Sequence, residues 1–182
     1  LWDVQSGARS PAIGEPYYLT DQAESGSMTF TQTITPGSYN GLSFLAGVDS
    51  ARNVSGVQSG ALDPAMGMFW TWNSGYIYLK IEGNSVASNQ PNGKFEYHIG
   101  GFKFPYSAIR EITAELTEPG RWEIIAGQTI SFDINFEIDR FFSSVHQLSI
   151  SNTPVCTTPG ELAAQIADNM ASAFAVVKYD IR

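Results

Sequence analysis

Hydrophobic and polar residues alternate along much of this chain, and the alternation predicts β-strands. The clearest case is residues 130–138, where five large apolar side chains fall on one face and four polar ones on the other. Because successive side chains of a strand point to opposite faces, one face of this segment is expected in the core. We therefore expect Phe132, Ile134, Phe136 and Ile138 to be buried.

Other segments show the same two-residue period, or form short apolar runs bounded by turn residues. They predict strands over residues 17–20, 28–35, 41–48, 76–82, 95–99, 110–116, 145–150 and 174–181. In the second of these, Met28, Phe30 and Ile34 are expected to face the core. Residues 1–16 are punctuated by Gly and Pro and show no clear period.

One segment has helical spacing instead. Leu162, Ile166 and Met170 recur every four residues, which puts them on one face of a helix. A helix-start signal that includes Pro159 precedes them, so a helix is predicted near residues 161–173. Together these elements predict an all-β fold: a β-sandwich of about eight antiparallel strands with one α-helix on the C-terminal side.

Length and composition narrow the class of protein. With 182 residues, 43% of them hydrophobic, the chain is expected to form a single domain over residues 1–182 with a sizeable core. No apolar run is long enough to cross a bilayer, so it is not expected to be membrane-spanning. Eighteen acidic against ten basic residues give a net charge of −8, which argues against nucleic acid as a partner. The lone Cys156 cannot form an internal disulfide.

The densest aromatic stretch lies at residues 62–80, which contain two of the four Trp and two of the eight Tyr. If this stretch is extended, Trp70, Trp72 and Ser74 share one face. The aromatic side chains then have two alternative uses. They cap a core corner, or, if exposed, they form a flat platform for a sugar.

The chain has only two histidines, His98 and His146, so an imidazole-based metal site must use one or both. His98 ends a predicted strand beside two glycines, from where its ring could reach a ligand. The alternative is a hydrogen bond to a backbone carbonyl or to Glu96. No neighbouring residue marks His146 as a ligand. One or two His together with a sulfur or carbonyl donor would suit a metal ion that prefers few, soft or imidazole ligands.

Two motifs carry a resemblance to a known family. Residues 68–76 read Met-Phe-Trp-Thr-Trp-Asn-Ser-Gly-Tyr, and residues 97–101 read Tyr-His-Ile-Gly-Gly. This combination resembles the MbnP-like family of copper-binding periplasmic and surface proteins. The resemblance implies a non-enzymatic protein that is exported to the periplasm, the outer membrane or the cell surface. The chain starts at Leu1 with no signal peptide, which suggests a mature or trimmed product.

The resemblance also implies a ligand set and a partner. Copper, as Cu(I) or Cu(II), is held in that family by histidines and by kynurenine, an oxidised Trp, and a MauG-like di-haem peroxidase is the implied oxidising partner. His98 matches the family's histidine, and Trp70 or Trp72 matches the oxidisable Trp, with Trp72 preferred for its position nearer strand 76–82. Methanotroph-type members carry another His before the first motif, and residues 53–68 contain none. His146, Met66 or Met68 is then expected to supply the second donor.

Two other functional classes remain open from the sequence. One is a surface binding or structural module without a metal, for example a glycan-binding one. The other is a hydrolase, although the chain has no Gly-x-Ser-x-Gly, P-loop or His-Glu-x-x-His motif. Asp49, Asn53 and Asp63 also offer oxygen ligands for Ca²⁺, but their spacing is not that of an EF-hand, and a hydrogen-bonded loop is the favoured use.

Overall fold

Strands dominate the described part of the chain, and the predicted all-β class is confirmed. The computed structural model describes residues 17–115 and 120–182, so the predicted lead-in at residues 1–16 and Leu116 of the strand predicted at 110–116 lie outside it. The strands within these ranges are β1 (Gly37–Tyr39), β2 (Gly41–Ala46), β3 (Phe69–Thr71), β4 (Gly75–Asn84), β5 (Lys94–Gly100), β6 (Arg110–Glu115), β7 (Trp122–Ile124), β8 (Ile130–Phe136), β9 (Val155–Cys156) and β10 (Phe174–Ile181).

Three α-helices accompany the strands in the described residues: α1 (Ser50–Val54), α2 (Ile138–Phe142) and α3 (Glu161–Ala173). Helix α3 lies where the four-residue spacing predicts it. Helices α1 and α2 were not predicted, because a five-residue helix is too short to show a periodic apolar pattern. No helix in the described ranges combines the length and the apolar composition that a bilayer crossing needs.

The chain divides into two compact units. The first comprises Leu1–Phe44, Thr113–Ile134 and Val176–Arg182. Within its described residues β1 pairs with β7, and Trp122 is the centre of a small apolar cluster. Its indole packs edge-on against Phe132 and Tyr179, with ring centroids 4.9 and 5.3 Å apart. Aromatic edge-to-face packing of this kind adds to the stability that burial alone provides.

The second unit comprises Leu45–Ile112 and Asn135–Ala175, and it holds the four-stranded sheet β3-β4-β5-β9. The first three strands are antiparallel, as predicted for the fold, but β9 runs parallel to β5. Strand β9, which the sequence did not predict, therefore adds a parallel pair to a fold expected to consist of antiparallel strands. A parallel neighbour needs a crossover connection, and a period-two pattern carries no information about strand direction.

Helix α3 packs against one face of β5. Tyr97 and Ile99 are fully buried on that face, in the same cluster as Ala163, Ile166 and Met170 of the helix. These are the inward positions that alternation predicts for β5. Because neighbouring side chains of a strand point to opposite faces, α3 leaves the side chains between them on the other face of the sheet.

Burial along β8 departs from the prediction. Phe132 and Phe136 are half-buried, whereas Ile134 is 38% exposed and Ile138 is 47% exposed. Strand β8 also ends at Phe136, and Ile138 opens α2 instead of continuing the strand. Alternation fixes which face of a strand a side chain occupies, but it does not determine how far other elements cover that face.

Three predicted strands do not form. Residues 17–20 and most of 28–35 are irregular, and Met28 and Phe30 are exposed instead of facing the core. Phe30 stacks on Tyr18 at 3.9 Å between ring centroids, so a local aromatic contact replaces sheet pairing. Residues 145–150 form a loop tied by hydrogen bonds to buried Asn169 of α3.

Candidate metal centre

A set of charged side chains lies on the face of β4 and β5 that α3 does not cover. Register pairs Lys80 with His98 and Glu82 with Glu96 across the two strands. Lys94 joins them two residues before Glu96 on the same strand. Partnered residues of an antiparallel ladder point to the same face, so these five side chains are neighbours. We call Lys80, Glu82, Lys94, Glu96 and His98 the polar face.

Three side chains of the polar face bring ligand atoms together. One nitrogen of His98 and one oxygen from each of Glu82 and Glu96 all lie within 4.8 Å of one another. His98 Nε2 is 2.5 Å from Glu82 Oε1, and Lys94 Nζ donates to Glu96 Oε1 at 2.8 Å. Among the described residues this is the one group of three His, Cys, Asp or Glu side chains that meets this distance limit.

The two glutamates stand directly opposite each other, which is an unfavourable position for like charges. The ammonium of Lys94 and the imidazole of His98 offset that repulsion through the two contacts just given. The hydrogen bond from His98 lowers the pKa of Glu82 below its ordinary value, and partial burial opposes this effect. The Glu82 carboxylate is therefore ionised at neutral pH and can offer an oxygen atom to a metal ion.

The Trp70 ring lies close to the backbone of β5 at Gly100, two residues along the strand from His98. A Cβ placed on Gly100 would come within 2.9 Å of the Trp70 ring, so the indole crosses the backbone of β5 at that glycine. Gly100 and His98 are two residues apart on one strand, which corresponds to about 6.6 Å and a common face. A side chain at Gly100 would clash with the indole and, more severely, with the Tyr76 carbonyl oxygen.

Trp72 does not share that face. It lies in a turn after β3, in which the Ser74 backbone N–H donates to the Thr71 carbonyl at 3.2 Å. Its ring packs edge-on against Phe69 with centroids 4.9 Å apart, and 52% of the residue is exposed. The condition under which both Trp would share one face, an extended chain through Trp72, is therefore not met, because the strand ends at Thr71.

Met68 and Met66 lie just before β3. The Met68 carbonyl accepts from the Ile77 backbone N–H at 2.9 Å, which anchors this segment to β4, and the residue is half-buried. Met66 is exposed and ends a short 3-10 turn. Lys80 Nζ also donates to the Gly67 carbonyl at 2.9 Å, so a residue of the polar face holds this segment in place.

His146 lies on the opposite side of the sheet from His98. Its Nε2 is 3.1 Å from Asp168 Oδ2, and its backbone N–H donates to Asn169 Oδ1 at 2.8 Å. Both partners belong to α3, which packs on the Tyr97 face of β5. The structure therefore does not bring the two histidines together.

The loop between β2 and β3 uses its oxygen ligands internally. Asp49 and Asp63 cap the short helices that follow them, by accepting from the Arg52 and Ala65 backbone N–H groups. Asn53 is 1% exposed, and its amide donates to two backbone carbonyls and accepts from the Tyr76 backbone N–H. These contacts match the hydrogen-bonded loop favoured by the sequence.

Glu82 and Glu96 were not among the predicted ligands. Alternation in β5 already puts Glu96 beside His98, but Glu82 joins them only through the register of β4 against β5. That register depends on the connection at residues 85–93, whose conformation the hydrophobic pattern does not specify. Neither motif, at residues 68–76 or 97–101, contains Glu82 or Glu96.

Comparisons with known proteins agree with the motifs. The sequence model of the MbnP family matches residues 3–158, which is most of the chain. Searches of curated proteins and of solved structures gave no match. Since the match includes β1 to β9 and both motifs, the chain belongs to the MbnP family.

Proposed function

We propose that this protein is an exported, non-enzymatic copper-binding protein whose centre is His98 on the polar face. Membership of the MbnP family supports a copper-related role. The observation that carries the proposal is the convergence of His98, Glu82 and Glu96 ligand atoms within 4.8 Å. Imidazole and carboxylate are both copper ligands, so these residues fit the metal.

Trp70 is the better candidate for the oxidised Trp of the family. Its indole lies against the backbone of β5 at Gly100, two residues from His98, whereas Trp72 packs in the turn against Phe69. An unmodified indole offers a metal no good lone pair, so Trp70 would need oxidation to kynurenine before it could act as a ligand. A MauG-like di-haem peroxidase as the oxidising partner remains part of this proposal.

A metal titration with paired histidine variants tests the function. Purified protein, stripped of metal, is loaded with copper and desalted, and the bound copper per chain is measured by elemental analysis. His98→Ala is expected to lose stoichiometric copper, and His146→Ala is expected to keep it. Circular dichroism of both variants controls for folding. Unchanged copper content in His98→Ala would remove the proposed centre.

A glycan-binding surface is a second candidate, and one feature favours it. Phe104 is 95% exposed, Tyr106 is 44% exposed and Trp72 is also exposed. Lys103 Nζ donates to Asn73 Oδ1 at 2.5 Å, which ties the turn carrying Trp72 to the loop carrying Phe104. Exposed aromatic rings beside an amide suit the apolar face of a sugar.

Affinity electrophoresis in polysaccharide gels distinguishes glycan binding from the proposed copper-binding function. Retardation that is lost in both Trp72→Ala and Phe104→Ala, and kept in His98→Ala, would support a glycan surface. Mobility that is unaffected by any polysaccharide would exclude the polysaccharides tried and leave the copper proposal standing.

A further inference from the structure

We propose that Glu82, Glu96 and His98 form a site for a divalent cation, Cu(II) in a copper-binding protein, and that this site does not retain Cu(I). The inference deepens the proposed function and rests on it. It concerns the oxidation state of the copper ion that the protein binds before any Trp is oxidised.

The donor atoms favour the divalent ion. Two of the three convergent ligand atoms are carboxylate oxygens, and the third is an imidazole nitrogen. Cu(I) is soft and selects thiolate, thioether or imidazole, whereas Cu(II) accepts mixed nitrogen and oxygen ligands in tetragonal geometry. Two anionic oxygens also match a double positive charge better than a single one.

Strand register gives a second reason. Glu82 and Glu96 face each other directly, and each already contacts a partially exposed cationic or titratable group, His98 or Lys94. A divalent ion between the two carboxylates would replace both contacts and neutralise both charges. Lys94 is exposed, so it can leave Glu96 for solvent at little cost.

Softer donors lie elsewhere in this unit. His146 is across the sheet, bonded to Asp168. The Cys156 thiol is buried in the cluster that contains Tyr97, and burial raises its pKa, which disfavours the thiolate. Met68, just before β3 and anchored to Ile77, is the sulfur-bearing side chain whose removal most directly tests a Cu(I) alternative.

The experiment uses the full chain, produced without a peroxidase and checked by intact mass for unmodified Trp. Cu(II), Cu(I) and Zn(II) affinities are measured by competition with chromophoric chelators, with Cu(I) kept anaerobic. The variants are Glu82→Gln, Glu96→Gln and Met68→Leu. Glu24→Gln is the matched control, because it removes an exposed carboxylate from the other compact unit.

Loss of either carboxylate is expected to weaken Cu(II) binding by about tenfold or more, since each removes one ligand. Met68→Leu and Glu24→Gln are expected to stay within about twofold of the unaltered protein for Cu(II). Cu(I) is expected to be extracted by the chelator from every variant alike. Thermal unfolding of the apo variants verifies that each one is folded.

Failure of this inference differs from failure of the proposed function. The inference would be overturned if the protein bound Cu(I) tightly, if Met68→Leu abolished that binding, and if neither Glu→Gln change affected it. Copper binding itself would survive that result. Zn(II) binding that depends on the three residues, with neither copper state bound, would support the divalent site and overturn the copper function. No binding of any of the three ions would overturn both.

Discussion

The two histidines of this protein form similar contacts in two different settings. His98 Nε2 is 2.5 Å from Glu82, and His146 Nε2 is 3.1 Å from Asp168. His98 lies on the face of β5 that α3 does not cover, with its side chain 16% exposed, beside a second carboxylate that is paired with an exposed lysine. His146 lies in the loop packed against α3; its side chain is 40% exposed, but its partners are fixed by further hydrogen bonds.

Those further bonds decide the comparison. Asp168 also accepts from Arg110 Nε at 2.8 Å, and Arg110 in turn donates to the Ala164 carbonyl. Asn169 is 0% exposed and bonds the backbone of Phe141 and His146. The carboxylate partner of His146 is therefore also held by Arg110, and His146 has one acidic partner where His98 has two nearby carboxylates.

The largest expected difference between the two regions is in stability. Asn169→Ala leaves the Phe141 and His146 carbonyls and the His146 N–H without their partner, and should cost about 3–5 kcal/mol of unfolding free energy. Glu96→Gln, on the polar face, should stay within about 0.5 kcal/mol. Urea unfolding of both variants measures this. Equal losses would show that the polar face is as structural as the α3 side.

The burial of Tyr97 on the covered side of β5 should also make the free energy of unfolding depend on pH at high pH. Burial raises the pKa of Tyr97 to about 12, and its hydroxyl donates to the Thr153 carbonyl at 2.7 Å. The folded state keeps this proton where the unfolded state loses it, so the contribution is complete below pH ~10 and is lost as pH rises to ~12. The loss should be on the order of 2 kcal/mol.

Chemical unfolding at a series of pH values measures this loss. In Tyr97→Phe the decline between pH ~10 and ~12 should flatten. Tyr106→Phe, which changes an exposed tyrosine, should leave it in place. A decline that is the same in both variants would mean that Tyr97 is not the group protected by the core.

A smaller effect is expected from Lys94. Its ammonium occupies Glu96, so Lys94→Gln should free that oxygen and raise Cu(II) affinity about two- to threefold, or ~0.5 kcal/mol. Lys178→Gln, an exposed lysine of the other unit, is the control for net charge. Equal changes in both variants would attribute the gain to overall charge and not to release of Glu96.

The smallest expected effect is a loss of stability in acid when Glu82 becomes protonated. His98 lowers the pKa of Glu82, so this contact stabilises the fold above the ordinary pKa of Glu and is lost as pH falls through the lowered value. Because Glu82 is well exposed, the change should be below about 0.5 kcal/mol. Unfolding of Glu82→Gln from pH 6 to 3 tests it. A variant with a steeper acid decline than the unaltered protein would contradict the assignment.

The sequence predicted those elements whose signal is local. Helix α3 carries Leu162, Ile166 and Met170 at the predicted spacing, although its N-cap is Gly160 and Pro159 lies before the helix, and β10 follows at the predicted residues. His98 lies in β5, within the strand predicted for it; its role as a ligand stays a prediction. Features of this kind depend on residues only a few positions apart.

Features that depend on distant residues were not predictable. Glu82 meets His98 through strand register, and the exposure of Ile134 depends on which elements cover β8. Trp72 left the predicted face because of a tight turn that ends at Gly75, a residue with φ of +80°. That φ suits glycine, but glycine in a sequence does not itself reveal its φ.

Pulsed EPR of the Cu(II)-loaded protein tests the central claim most directly, because the remote nitrogen of a bound imidazole modulates the echo. We expect the signal of one equatorial imidazole, lost in His98→Ala and retained in His146→Ala. A signal from two imidazoles, or one that survives His98→Ala, would contradict the assignment of the copper centre to the polar face.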